Sequence, residues 1–171
     1  MMNDIVVYGG FFKMGTNDNT IYYNRDICIE CARAFFDAAC LIERQHQDSE
    51  FMDEMLAPYS VNLMLSCELY YKYLLIPHID AIPPNRFKTH SIEALHKMLT
   101  EHEPDIAKRI ENLYASTHNE ATPIFLSFEK ILEKNKENFV DFRYLYELNK
   151  EKHMYSTDMA IIVRALQQVC E

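Results

Sequence analysis

After Gly15 the 171-residue chain contains no glycine; its three glycines are Gly9, Gly10 and Gly15. Short β-turns depend on glycine at positions of positive φ, so the absence argues against a body of hairpins. It leaves an all-α body whose helices end on Asn, Pro and polar residues. Also missing is any run approaching the roughly 18 apolar residues of a membrane span, and the first residues lack a basic stretch followed by an apolar signal core. No membrane association and a cytoplasmic location are therefore expected. Basic residues are few, 17 against 26 acidic, for a net charge of -9. That excludes broad electrostatic attraction to nucleic acid or anionic lipid, although Lys72, Arg86, Lys88, Arg143, Lys150 and Lys152 could converge locally.

What is present reads as helices. Residues 1 to 20, with Ile-Val-Val-Tyr-Gly-Gly-Phe-Phe, form an extended N-terminal arm, and residues 21 to 171 form one domain, long enough to bury a core without staples. The first helix is expected over about 24–46, with Asp26 and Glu30 near its positive end. A polar exit at 45–50 and Pro58 place the second over about 60–76, and Pro77, Pro83 and Pro84 then enforce a loop. Further helices are expected from about Ser91, over 105–115, 124–135, around 138–147 and over 157–169. The architecture is an up-and-down bundle of about five to seven helices. Five cysteines, Cys28, Cys31, Cys40, Cys67 and Cys170, fit a reducing compartment. Cys28-x-x-Cys31 has no second ligand pair and shares its helical pattern with Ile27, Phe35 and Ile42, so both read as small core hydrophobes.

Two groups of residues carry chemistry. Arg143 stands among Phe139, Phe142, Tyr144 and Tyr146, where a guanidinium needs a partner because a desolvated charge is costly. Glu68 lies on a half-apolar face four residues before Lys72, and the fork of Arg143 would satisfy its carboxylate better than an ammonium. A structural Glu68–Arg143 pair is therefore expected, with an arginine held for phosphate, or paired to Glu147, as the alternatives. His90 opens a helix, where it either bonds locally to backbone or stands beside Arg143.

Three ordered stretches add a resemblance. Asn62-Leu-Met-Leu-Ser-Cys-Glu68-Leu-Tyr-Tyr-Lys72, then Thr89-His90-Ser91-Ile92-Glu93-Ala94-Leu95, then Asn138-Phe-Val-Asp-Phe-Arg143-Tyr144-Leu-Tyr146-Glu147 resemble signatures of HEPN-domain proteins. The resemblance implies a helical homodimer from a prokaryotic defence, toxin-antitoxin or stress system. It brings with it an RNA or nucleotide ligand, an antitoxin or other protein partner, and no cofactor or metal. It nominates Arg143, His90 and His153 for metal-independent RNA cleavage, and Glu68, Lys72, Tyr144, Tyr146 and Glu147 for binding. The chain departs from the family's nuclease motif: Tyr144 follows Arg143, and the next histidine, His153, lies beyond the usual spacing. A non-catalytic homodimeric interaction module is the alternative. Two Glu-x-x-His units, Glu43 to His46 and Glu93 to His96, raise a third possibility, a metal-binding bundle completed by Glu68 and Glu129.

Overall fold

The computed structural model describes residues 11–14, 21–45, 49–117, 126–136, 138–143 and 154–171. The described body is an all-α bundle. Its helices are α1 (Arg25–Gln45), α2 (Ser49–Leu75), α3 (Pro84–Phe87), α4 (Ile92–His102), α5 (Pro104–Thr117), α6 (Phe128–Asn135), α7 (Asn138–Arg143) and α8 (Ser156–Cys170), with a 3₁₀ turn over Ile76–Ala81 after α2. Ahead of them, β1 (Phe11–Met14) pairs antiparallel with β2 (Ile21–Asn24), Phe12 opposite Tyr23. Strand β1 falls within the expected arm and β2 within the expected domain, so pairing joins the two. β1 also packs against the 3₁₀ turn.

Helix boundaries follow local chemistry. The Asn24 side-chain oxygen accepts the Ile27 amide at 3.0 Å and starts α1, while the Ser91 and Ser127 hydroxyls accept the Ala94 and Lys130 amides to start α4 and α6. Pro104 occupies the first position of α5, where its missing N–H is no loss.

Helix α2 departs from the expected boundaries by running through Pro58 rather than starting after it. The residues ahead of the proline, Glu50-Phe-Met-Asp-Glu-Met-Leu-Ala57, are mostly strong helix formers, and tertiary packing carries the helix across the break. Pro58 itself is exposed, and the Asn62 amide donates to its carbonyl at 2.7 Å. A proline inside a helix costs about 3 kcal/mol through its absent N–H and ring clash. Pro58→Ala should therefore stabilise the protein by about 1–3 kcal/mol, seen as a higher urea midpoint at unchanged m-value. An unshifted midpoint would show that the helix has already relaxed around the ring. The segment read as a loop after Pro77 is likewise more regular than expected, because Pro77 and Pro84 sit at helix starts, where a fixed φ is useful.

Helix α2 is the centre of the bundle. Tyr59, Leu63, Met64, Cys67, Tyr70, Tyr71, Leu74 and Leu75 are buried on it, spread over more than one face, and α1, α4, α7 and α8 all pack against it. A helix apolar on several sides has to be enclosed. Ala32 and Ala39 let α1 approach closely, so that the Ser66 hydroxyl donates to the Ala32 carbonyl at 2.7 Å and the Cys28 thiol to the Leu69 carbonyl at 3.3 Å. Burial pushes the Cys28 thiol up to about 12, as befits a packing residue. All five cysteines are free thiols. No helix among the described residues is long and apolar enough to cross a membrane.

Candidate functional site

Glu68 of α2 is carried into the core, its side chain only 4% exposed. A carboxylate there requires donors on both oxygens. One is Lys72, a turn further along, with its ammonium 2.6 Å from Oε1. The other is His90, just before α4, whose Nδ1 lies 3.1 Å from Oε1 and 3.0 Å from Oε2. Facing two anionic oxygens, Nδ1 must carry the proton, which makes Nε2 the basic nitrogen of the neutral ring. The His90 side chain is 51% exposed. A buried carboxylate thus orients a half-exposed imidazole, while the Lys72 ammonium also lies 6.0 Å from the centre of the buried Phe87 ring.

The local sequence explains the arrangement. Thr89 Oγ1 accepts the Ser91 amide and Ser91 caps α4, fixing the backbone on either side of His90. Phe87 anchors α3 in the core, with Tyr23 of β2 edge-on at 5.0 Å. The chain segment bearing His90 is thereby held against α2.

The expected Glu68–Arg143 pair is replaced by Glu68 with Lys72 and His90. Arg143 is exposed at the end of α7, whose Phe142 is buried and which packs on α2. Lys72 and His90 are close in sequence or on a neighbouring segment and reach Glu68 without burying a guanidinium. The structure thus brings three of the nominated residues together, Glu68, Lys72 and His90. Arg143 sits on a helix adjoining the same central helix, and His153, Tyr144, Tyr146 and Glu147 lie outside the described residues.

A second polar cluster was not anticipated as a unit. His96 of α4 is buried; its Nδ1 meets the Tyr71 hydroxyl at 3.2 Å and its Nε2 faces Glu111 Oε1 of α5 at 3.4 Å. Lys108 holds the other Glu111 oxygen at 2.7 Å. Burial keeps the Tyr71 hydroxyl protonated far above its usual range, so it donates to Nδ1 and the ring proton resides on Nε2 toward Glu111. Burial also lowers the His96 pKa below the ordinary 6.5, against the opposing pull of Glu111. Burial alone would raise Glu111; the Lys108 ammonium and the His96 ring overcome it and hold the carboxyl below 4.5.

These shifts have a sign. For a base whose pKa is lowered by folding, the unfolded chain binds the proton first, so stability is full above 6.5 and falls as pH drops from there through the folded value. The Glu111 contribution is lost in a separate window below 4.5. Between pH 7.5 and 5.5 the denaturation midpoint should decline in wild-type protein, and His96→Gln should flatten that decline. An equal slope in the variant would assign it to other groups.

The metal-bundle reading meets this cluster only in part. His96, Glu93 and Glu129 border one cavity, Glu68 is committed to Lys72 and His90, and Glu43 is exposed on α1. Among the described residues no three His, Cys, Asp or Glu side chains converge as metal ligands. Comparison with protein-family models, curated proteins and solved structures gives no match.

Proposed function

We propose that this chain is a divergent HEPN-like homodimer of the cytoplasm, acting on RNA in a defence, toxin-antitoxin or stress system with a protein partner such as an antitoxin. His90 serves as its general base and Arg143 as its phosphate-facing cation. The observation that carries the reading is the His90–Glu68 pair. Cleavage of RNA through its own 2′-hydroxyl requires a base for that proton and a cation for the charge that grows on phosphorus-bound oxygen. A buried carboxylate that fixes the imidazole tautomer with Nε2 basic supplies the first. An exposed guanidinium on α7, a helix packed on α2, suits the second, since its fork matches phosphate oxygens. His90 would then do what a histidine soon after Arg143 does in the family's motif, from a different helix or across a two-fold axis.

The acidic balance of the chain limits the affinity to local contacts, so binding should involve few phosphates and weaken only gradually with salt. The test is cleavage of labelled single-stranded RNA in EDTA by wild-type protein and by Arg143→Ala, with gel filtration for the dimer. Products ending in a 2′,3′-cyclic phosphate, lost in the variant, are expected. RNA left intact while still bound would favour the non-catalytic interaction module, and neither binding nor cleavage would overturn the RNA reading.

A further inference from the structure

A cavity of about 450 Å³ opens between α4, α5 and α6, with His96 at its base. That volume lies within the range of small-molecule sites. Its charge is one-sided. Carboxylates of Glu93, Glu101, Glu111 and Glu129 border it, Glu101 being paired with Arg86, against the single ammonium of Lys97 in the lining. Glu111 is already shared between Lys108 and His96, whereas no cation among the described residues lies within ion-pair distance of Glu93 or Glu129. The imidazole at the base points its proton at Glu111 and offers nothing to an anion. Much of the wall is carbon, from Leu132 and the stems of the long polar side chains.

We propose that this cavity binds a small organic cation, an aliphatic polyamine, whose ammonium groups meet Glu93 and Glu129 and whose methylene chain lies along Leu132 and the edge of His96. Cation binding follows from the uncompensated carboxylates, and a hydrocarbon body follows from the carbon wall. A metal ion would satisfy only the first, and an anion neither. The site is separate from the His90–Glu68 pair and does not depend on the RNA reading.

Spermidine is the probe, with 1,8-octanediol as an uncharged chain of similar length, both titrated calorimetrically into the full chain at low salt. Saturable spermidine binding at least tenfold tighter than the diol is expected, and Glu93→Gln/Glu129→Gln should weaken it at least tenfold. Thr100→Phe, which places a ring in the lining without altering charge, should abolish it and provides an independent readout if the double variant folds poorly. Equal affinity for the diol would overturn the cation assignment. Spermidine binding that survives Thr100→Phe would place it on the general acidic surface, and absence of saturable binding would remove the site altogether.

Discussion

RNA cleavage should fall by about 10²–10⁴-fold in His90→Ala, the range expected when a positioned general base is removed. His90 is half in solvent but donates to the buried Glu68 carboxylate, so its loss should cost about 1–3 kcal/mol and lower the urea midpoint, while circular dichroism stays close to wild type. Loss of cleavage in a chain that is still folded makes the result informative. Glu68→Gln tests the same geometry differently, because an amide oxygen and an amide nitrogen can present either polarity to Nδ1. The ring can then take the wrong tautomer, with a loss of the same order as His90→Ala. If Glu68→Gln cleaves as fast as wild type while His90→Ala does not, the carboxylate is only structural. If both variants retain cleavage, the base lies elsewhere.

Tyr71→Ala should remove about 3–5 kcal/mol of stability, a large share of what a domain of this size possesses. Tyr71 is completely buried on α2, edge-on to His96 with ring centres 5.8 Å apart, so truncation empties the space between the central helix and α4. Tyr71→Phe isolates the polar part. It keeps the ring but leaves the buried Nδ1 of His96 without its donor, at a cost of about 1–3 kcal/mol. In Tyr71→Phe/His96→Leu both ends of that hydrogen bond are gone, and the double variant should be less destabilised than the sum of the single changes. Strict additivity in chemical denaturation would mean that the 3.2 Å contact contributes little.

Part of the site was legible in the chain. The spacing of Glu68 and Lys72 predicts contact on one helical face, and the structure has it at 2.6 Å. The third member was harder to read. His90 lies 22 residues beyond Glu68, across a proline-rich segment whose path depends on Phe87 entering the core, and no periodicity encodes that approach. Arginine was expected at Glu68 because its fork suits a carboxylate better. Chain proximity decided otherwise, since Lys72 and His90 reach the acid from its own helix and the neighbouring segment. Tyr71, His96 and Glu111 come from three helices and share no motif; the sequence singled out His96 only within Glu93-x-x-His96, a pattern that points to a metal and not to Tyr71 or Glu111.

The absence of glycine after Gly15 and the 3.6-residue spacing of apolar side chains were enough to determine an all-α body, and the capping residues Asn24 and Ser91 set two of its helix starts within a residue or so. These are local matters, settled by backbone hydrogen bonds a few residues apart. Continuity of α2 through Pro58 was decided by tertiary structure, because packing on several sides of that helix outweighs one missing amide. So were the partners of Glu68 and the cavity beside His96. A buried polar group must take whichever donors the fold brings within 3 Å, and that choice exists only once the helices are packed.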